Sequence, residues 1–310
     1  MRAVVLSKYG APEVLEVSLG VPRPPRRPGQ VLVAVVATSV NPIDCKFRSG
    51  EVPRLMSWWL KVLGRDLAGV VLEADPGSAF PPGTGVYGFT DWWQQSAYAE
   101  EVSVPEGVLA TMPSQLSFEE AAALPLVATT AWQALDAAAL QPGQRLLIHA
   151  GSGGVGSVAI QLAKARGLHV TTTCSTGNTQ LVMGLGADEV VDYTKQRFEE
   201  AYKDLPFHGI IDVVGGDYLP RSFSVLRKDG VYVDIGNSGY IRKYGNLAAA
   251  AIWLFNTVKG QVLSRLKLGP RYHFIAVKPN GSQLAEVTSL VEEGRVRPVI
   301  GRTGTLDEIR

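Results

Sequence analysis

The pattern of hydrophobic and polar positions changes near residue 117. Before it, short apolar segments such as 31–37 and 67–73 are separated by glycine and proline. This pattern predicts short strands in a compact β-rich, barrel-like domain. After it, strand-like and helix-like segments alternate, and the sequence Ser117-Phe118-Glu119-Glu120 has the spacing of a capping box. We therefore expect the first helix of the second part to begin there.

The second part has the periodicity of repeated strand–helix–strand units. Strands are predicted at 145–150, 168–174, 189–191, 209–214, 231–235 and 274–277, and helices at 154–166 and 179–185. Such alternation predicts an α/β domain with a doubly wound parallel sheet that helices cover on both faces. A helix at 284–293 and a strand at 298–300 are predicted to follow, and we expect that strand to return to the first domain.

Composition narrows the class of protein. The 310 residues suffice for two domains, and 46% hydrophobic with 19% charged residues predicts a globular chain. The 30 basic and 29 acidic side chains leave a net charge of +1, which argues against nucleic acid or an anionic membrane as partner. The longest apolar run, 247–255, falls short of the roughly 20 residues that span a bilayer. It predicts a buried or interfacial helix, with a membrane anchor as the less favoured alternative.

A glycine-rich loop, Gly151-Ser152-Gly153-Gly154-Val155-Gly156, joins the first of these strands to the next helix. Glycine allows a tight turn and lets the backbone approach a pyrophosphate, which the N–H groups and dipole of the helix start then stabilise. The strand–loop–helix context therefore predicts a nicotinamide dinucleotide site. A glycine-rich connection without a ligand is the alternative.

The end of the next strand bears on the choice between NAD and NADP. An NAD site places an acidic residue roughly 20 positions after the loop, and no Asp or Glu occurs between Ser157 and Ala187. The strand ends instead in Cys174-Ser175-Thr176-Gly177-Asn178, whose hydroxyl and amide groups favour the 2′-phosphate of NADP. This segment contains no Arg or Lys to strengthen that choice. Helix capping by the serine and threonine is an alternative compatible with binding.

Motifs outside the loop carry a family resemblance over nearly the whole chain. They are Asn41-Pro42-Ile43-Asp44 with Arg48-Ser49-Gly50, Gly64-Arg65-Asp66-Leu67-Ala68-Gly69-Val70, Ala97-Tyr98-Ala99-Glu100, Leu124-Pro125 with Thr130-Ala131-Trp132, and Gly184-Leu185-Gly186-Ala187-Asp188 with Val191-Asp192-Tyr193. Together they resemble the zinc-free medium-chain dehydrogenases/reductases of the quinone oxidoreductase and alkenal (enone) reductase group. Within that group, the chain most resembles plant and organellar quinone oxidoreductase homologues.

The resemblance implies a fold and a domain order. It implies a GroES-like catalytic domain at 1–123, a Rossmann NADP-binding domain at 124–278, and a segment at 279–310 that returns to the catalytic domain. Relatives continue beyond this point through another helix and strand, so the return segment of this chain is expected to be shorter than theirs. The resemblance also implies a cleft between the domains and a homodimer that pairs through the Rossmann edge at 274–277.

The resemblance also implies which residues bind NADPH, the hydride donor. Asn41 would contact the nicotinamide ribose and Thr130 the nicotinamide end; Ser152, Gly153, Gly154 and Val155 would hold the pyrophosphate; Ser175, Asn178 and Tyr193 would surround the adenosine phosphate; and Gly236, Asn237 and Phe274 would line the nicotinamide pocket. The chain departs from some relatives at Gly177, where they carry Arg or Lys, and at Lys46, where some quinone reductases carry Tyr.

Metal chemistry is not expected, because zinc enzymes of this kind need thiolate and imidazole ligands. The histidines at 149, 169, 208 and 273 and the two cysteines do not cluster along the chain, and His149 is expected in the core of a strand. Cys45 and Cys174 are expected to be reduced thiols.

No targeting segment is evident, so the cytoplasm is the expected compartment, with plastid or mitochondrial association as the alternative.

The expected activity is hydride transfer from NADPH to a quinone or an α,β-unsaturated carbonyl. Lys46 is the candidate catalytic residue, because a cation would stabilise the negative oxygen that develops; an ordinary solvent-exposed lysine is the alternative. Four tryptophans, Trp58, Trp59, Trp92 and Trp93, could cover a flat apolar substrate or simply pack in the core. The second class of function is a non-catalytic NADPH-binding protein of the same fold.

Overall fold

The computed structural model describes residues 1–52, 62–91, 94, 97–236, 255, 258, 260, 262 and 269–310. The chain divides into two compact units, Met1–Thr129 with Lys278–Arg310 and Thr130–Val277. The domain boundaries predicted above stay a prediction. Trp58, Trp59, Trp92, Trp93 and all but the last residue of the apolar run 247–255 lie outside the described residues.

The first unit is built on two antiparallel sheets. Its elements are β1 (Ala3–Leu6), β2 (Leu15–Ser18), β3 (Gln30–Ala37), α1 (Pro42–Ser49), β4 (Asp66–Glu73), β5 (Gly85–Phe89), β6 (Glu101–Pro105), β7 (Leu109–Thr111) and α2 (Phe118–Ala122). Strands β1 and β2 pair as a hairpin, and the five-stranded sheet has the order β6-β3-β4-β5-β7. Ser117 caps α2 by accepting a hydrogen bond from the backbone N–H of Glu120, which confirms the capping box.

Alternating burial explains how the five-stranded sheet forms its core. In β6, Val102 and Val104 are buried while their neighbours are half-exposed, as expected for a strand with one face towards a core. Gly69 in β4 has a steric role, because a Cβ atom there would lie 2.0 Å from the carbonyl oxygen of Ala34 in β3. Glycine at this position therefore lets the two central strands pair closely.

The second unit contains a six-stranded parallel sheet in the order β10-β9-β8-β11-β12-β13. Its elements are α3 (Pro125–Ala138, which begins in the first unit), β8 (Arg145–Ile148), α4 (Gly154–Ala165), β9 (His169–Cys174), α5 (Thr179–Gly184), β10 (Glu189–Asp192), α6 (Phe198–Ala201), β11 (Phe207–Asp212), α7 (Tyr218–Ser224), β12 (Leu226–Asp234) and β13 (Arg271–Phe274). This is the predicted α/β architecture with a Rossmann-like parallel sheet.

Several predicted strands have other bounds in the structure: β12 begins at Leu226 instead of residue 231, and β8 and β11 end two residues earlier than predicted, at Ile148 and Asp212. Two predictions near the end of the chain differ more. The last strand of the parallel sheet occupies Arg271–Phe274, three residues before the predicted 274–277, because Tyr272 is its buried residue and the apolar residues that follow lie beyond the strand. The strand predicted at 298–300 does not form; Val299 and Ile300 are more than one-third exposed. The helix predicted before it does form, as α8 (Gly281–Glu292), and packs in the first unit.

Among the described helices, none combines the length and the apolar character that a bilayer crossing requires.

Candidate dinucleotide site

The glycine loop connects the end of β8 to the start of α4. Helix α4 begins at Gly154, with Gly153 as its N-terminal capping position. A Cβ atom on Gly156 would lie 2.2 Å from the carbonyl oxygen of Ala150, and one on Gly151 would lie 2.1 Å from the Thr172 hydroxyl oxygen. No other residue type fits these two positions without moving the loop.

The loop presents backbone rather than side chains at the helix start. Gly153 and Gly154 are exposed, while Ser152 and Val155 are half-buried. Gly153 has no side chain that could cap the helix, so the first N–H groups of α4 are available to an anion. The exposed backbone of these residues and the tight turn of the loop therefore suit the binding of a dinucleotide pyrophosphate.

The structure brings together the residues predicted around the adenosine phosphate. Ser175 and Asn178 follow β9, and the Asn178 amide Nδ2 donates to Ser175 Oγ at 3.2 Å. Tyr193 follows the neighbouring strand β10; its backbone N–H donates to the carbonyl oxygen of Cys174 at 3.1 Å, and the residue is 52% exposed. All three lie at the carboxyl ends of two paired parallel strands, where ligands of open α/β sheets bind.

Lys195 is a cation near this cluster that sequence reasoning missed. Its Nζ lies 3.3 Å from an oxygen of Asp192, and the same carboxylate accepts a hydrogen bond from the hydroxyl of Thr176. The segment after β9 contains no Arg or Lys. The signal lay in the next strand, because parallel pairing of β9 with β10 brings the segments after both strands together.

Three of the residues predicted to contact the nicotinamide lie in the second unit, away from the glycine loop in the chain. Gly236 follows β12, and its N–H donates to Asp234 Oδ1 at 3.0 Å. Phe274 is the last residue of β13. Gly236 and Phe274 therefore lie at the carboxyl ends of the parallel strands, as does the glycine loop that follows β8. Thr130 is buried within α3, with 3% of its surface exposed. Asn237 lies outside the described residues.

Two buried aspartates end the adjacent strands β11 and β12. Asp212 accepts hydrogen bonds from the Tyr232 hydroxyl and from the backbone N–H groups of Val214 and Gly215. Asp234 accepts from the Tyr272 hydroxyl at 2.6 Å. Burial raises the pKa of Asp234 to about 7, and the neighbouring Asp212 acts in the same direction. A carboxyl group that titrates near neutral pH therefore lies two residues before Gly236.

Asn41, in the first unit, is held by a buried network. It is the N-terminal cap of α1 and is 4% exposed. Its side-chain amide Nδ2 donates to Asp66 Oδ2 at 2.6 Å and to Ser39 Oγ at 3.2 Å. Its backbone N–H donates to Asp44 Oδ2 at 2.9 Å. Because acceptors take the amide nitrogen, the side-chain carbonyl oxygen is the acceptor end of this group; it caps the backbone N–H of Asp44 in the capping box of α1, and an amide oxygen has a second lone pair that can accept a bond from a ligand.

Asp66 and Asp44 are the two buried carboxylates of this network. Asp66 also accepts from the backbone N–H of Leu126 at 2.8 Å, so it joins β4, the segment before α1 and the start of α3. Burial raises the pKa of both carboxyl groups, that of Asp44 to about 6. In the sequence Asp66 is recognisable only as part of a family motif, and its contact with Asn41 was not predicted.

Lys46 lies one turn further along α1 and is half-buried. Burial lowers the pKa of its ammonium group, and the nearby Glu51 opposes this shift. The alternative of an ordinary solvent-exposed lysine therefore does not describe its surroundings. An ammonium group that has lost part of its hydration interacts more strongly with a developing negative charge than one in water.

His149 is buried, as predicted for a core residue, but it follows β8, which ends at Ile148, instead of lying within the strand. It is fully buried, with Nε2 3.0 Å from Ser222 Oγ and Nδ1 3.4 Å from Thr173 Oγ1. Burial lowers its pKa to about 4.

Cys45 and Cys174 are both free thiols. Within the described part of the chain, no three His, Cys, Asp or Glu side chains are placed to hold a metal ion.

Comparison with known proteins decides the family. Residues 27–114 match the alcohol dehydrogenase GroES-like domain, and residues 185–310 match a family described as zinc-binding dehydrogenase. The mitochondrial NAD(P)H oxidoreductase RTN4IP1 of Mus musculus is 36% identical over an alignment that covers 100% of this chain and 84% of that protein. The chain belongs to the medium-chain dehydrogenase/reductase family.

Two further members show how much of this medium-chain dehydrogenase/reductase the likeness covers. The chloroplastic NADPH-dependent alkenal/one oxidoreductase of Arabidopsis thaliana is 32% identical over 98% of this chain and 72% of that protein. The quinone oxidoreductase structure from Coxiella burnetii has a TM-score of 0.85 and 32% identity, over 100% of this chain and 93% of that one. The predicted fold, the oxidoreductase class and NADP as cofactor are confirmed.

Proposed function

We propose that this medium-chain dehydrogenase/reductase reduces a quinone or an α,β-unsaturated carbonyl with NADPH, without zinc. The observation that carries the proposal is the geometry of the glycine loop and the adjacent strand ends. The loop exposes backbone N–H groups at a helix start, and the hydroxyl of Ser175 and the amide of Asn178 lie where an NAD enzyme would carry a carboxylate. The names of the Arabidopsis and Coxiella relatives, an alkenal/one oxidoreductase and a quinone oxidoreductase, support the two acceptor classes.

The proposed cofactor residues divide by the part of the dinucleotide that each would contact. The pyrophosphate would lie on Ser152, Gly153, Gly154 and Val155, the adenosine phosphate on Ser175, Asn178 and Tyr193, and the nicotinamide end on Asn41, Thr130, Gly236, Asn237 and Phe274. Asn41 would accept a bond from a ribose hydroxyl through its side-chain oxygen, since Asp66 holds its amide nitrogen.

The reduced nicotinamide supplies the hydride when it is bound. The contribution of the protein is to orient the reactants and to stabilise charge on the acceptor oxygen. We propose Lys46 for the second task, because its ammonium group is half-buried on α1. Water can supply the proton to the α-carbon, so the proposal needs no acidic side chain.

Independence from zinc is part of the proposal and rests on the chemistry of the available donors. Catalytic zinc sites use imidazole, thiolate or carboxylate groups that converge on one point. His149 is instead held inside the sheet by Ser222 and Thr173. The residues described in the two units supply no convergent set of three such donors.

The experiment that tests this function is a steady-state assay of NADPH oxidation with a panel of acrolein-like enones and 1,2-quinones. It is run with NADPH and NADH, before and after incubation with a metal chelator. We expect turnover that prefers NADPH and survives chelation. Tight NADPH binding without turnover would contradict the proposal and favour the non-catalytic binding protein. Loss of activity on chelation would contradict zinc independence.

The assembly and the compartment also remain proposals. Strand β13 is an edge of the parallel sheet as described, and pairing of two such edges would make a homodimer. Sedimentation analysis tests this, and a monomer at micromolar concentration would contradict it. The cytoplasm stays the predicted compartment, although two relatives carry mitochondrial and chloroplastic names.

A further inference from the structure

The carboxyl ends of β9 and β10 carry a polar cluster organised by Asp192. Its Oδ1 accepts hydrogen bonds from the backbone N–H of Thr194 at 3.0 Å and from the Thr194 hydroxyl at 2.6 Å. Its Oδ2 accepts from the Thr176 hydroxyl and lies 3.3 Å from Lys195 Nζ. These donors hold the pKa of Asp192 well below its usual range, so the carboxylate is ionised at neutral pH.

This carboxylate fixes the geometry of the cluster. Asp192 and Cys174 are paired residues of the two strands, so one side chain ties together the turn after β9 and the turn after β10. Each of its oxygens already accepts from a threonine hydroxyl. These hydroxyl donors stabilise the ionised form of the carboxylate and offset part of its negative charge.

Ser175 is arranged as a hydrogen-bond donor towards a ligand. Its Oγ accepts a bond from the Asn178 amide at 3.2 Å, so its own proton remains to be donated. The residue is half-buried, and Tyr193 beside it is 52% exposed. The same strand ends therefore offer a hydroxyl donor and, through Lys195, a positive charge.

We propose that Lys195 binds the 2′-phosphate of NADP and sets the preference for NADPH over NADH. In this chain it would replace the Arg or Lys that some relatives carry at the position of Gly177. The proposal rests on the proposed cofactor site and extends it to a residue outside the predicted set.

Lys195 can exchange one anion for another at low cost. Its side chain is 67% exposed, against 14% for that of Asp192, and the two residues are three positions apart. An ion pair whose cation remains in water contributes little to stability. A 2′-phosphate carries more negative charge than a carboxylate and three acceptor oxygens. Asp192 keeps its threonine donors when the ammonium group turns to the phosphate, so the cluster does not lose its support.

The test compares the Lys195→Ala variant with the wild type and with Lys203→Ala, a matched loss of an exposed lysine in the same unit. Dissociation constants for NADPH and NADH are measured by cofactor fluorescence at low and high salt. We expect Lys195→Ala to weaken NADPH binding about tenfold, to leave NADH binding unchanged, and to flatten the salt dependence for NADPH. Lys195→Arg should keep the preference.

Two results would overturn the proposal: unchanged NADPH binding in Lys195→Ala, or an equal loss for NADPH and NADH. An equal effect of Lys203→Ala would show only a general effect of charge and would count against it as well. The titration does not use an electron acceptor. A wild type that prefers NADPH but reduces no enone or quinone would therefore contradict the proposed reaction and leave the role of Lys195 intact.

Discussion

Asp66 is 1% exposed and accepts hydrogen bonds from the side chains of Ser39 and Asn41 and from the backbone of Leu126. A carboxylate is suited to this position because it accepts at several points and donates at none. The amide of Asn41 has two possible orientations, and the carboxylate selects the one in which the nitrogen faces Asp66 and the oxygen is the acceptor end. The residue is a positioning residue for the proposed ribose contact.

The Asp66→Asn variant tests this arrangement. Its amide presents a donor to the Asn41 nitrogen, so the orientation of Asn41 is no longer fixed. We expect NADPH and NADH binding to weaken together, by about 5- to 30-fold, since both cofactors share the nicotinamide ribose. Circular dichroism checks that the variant folds.

The Asn41→Ala variant and the double variant complete the cycle. If Asp66 acts through Asn41, the double variant should bind NADPH no more weakly than Asn41→Ala alone. Fully additive losses would contradict a positioning role, and a loss confined to NADPH would place the effect at the adenosine end instead.

Gly177 offers a second test at the level of one residue. A Cβ atom there meets nothing within 4 Å, and its backbone does not have a positive φ. Gly177→Lys should therefore fold normally and tighten NADPH binding about tenfold without affecting NADH. Gly177→Ala is the matched control for the backbone change. If Gly177→Lys tightened both cofactors equally, the added charge would not be next to the 2′-phosphate.

The glycine loop shows how an element depends on residues without side chains. In Gly156→Ala the new methyl group would lie 2.2 Å from the carbonyl oxygen of Ala150 and 2.8 Å from the Cα of Gly151. Backbone atoms cannot move aside cheaply, so we expect a loss of about 1–3 kcal/mol in the free energy of unfolding. Urea denaturation measures it, with Gly177→Ala as the control that should change little.

An unchanged midpoint in Gly156→Ala would contradict the tight turn that the structure describes. A loss of stability equal to that of Gly177→Ala would do the same.

Elements with a strong local signal could be predicted from the sequence. The capping box at Ser117 and the strand–loop–helix around Gly151 depend on neighbouring residues, and both formed where expected. The last strand of the parallel sheet did not, because its position is set by pairing with β12 and by the contact of Tyr272 with Asp234. Such contacts join residues far apart in the chain and leave little trace in local periodicity.

The residues of the candidate site also fall into two groups, those predicted from local sequence and those that were not. Ser175 and Asn178 were predicted because they lie within a few residues of one strand end. Lys195 and Asp66 were missed because each acts on a residue from another strand or loop. Pairing partners must be known before such contacts can be found.

At the scale of the whole molecule, buried titratable groups govern how stability depends on pH. Asp234 has a folded-state pKa of about 7, raised above the usual aspartate value of 3.8 chiefly by burial. The folded protein therefore binds more protons than the unfolded chain between these values. Its stability contribution is present at low pH and is lost as the pH rises towards 7.

The Asp234→Asn variant removes this dependence. The difference in the free energy of unfolding, variant minus wild type, should increase between pH 4 and pH 7, by up to about 1.4 kcal/mol per pH unit, and then level off. Denaturant titrations at several pH values measure it. Asp204→Asn, at an exposed carboxylate of the same unit, is the control; a flat difference for Asp234→Asn would contradict its burial as an acid.

The contribution of His149 to stability changes with pH in the opposite direction. Its folded-state pKa is lowered to about 4 by burial, so the unfolded chain binds more protons between pH 4 and 6.5. Stability from this site is complete above the unfolded value and is lost as the pH falls. The two groups oppose each other over this range, which is why single variants are needed to see either one.

Isotope tracing shows whether hydride passes from NADPH to the acceptor in this protein. The protein is mixed with an α,β-unsaturated ketone and NADPH that carries deuterium at the transferable position of nicotinamide C4, and the product is examined by mass spectrometry and NMR. We expect one deuterium at the β-carbon and a solvent proton at the α-carbon. A reduced product without deuterium at the β-carbon, or no reduced product although NADPH binds, would contradict this transfer.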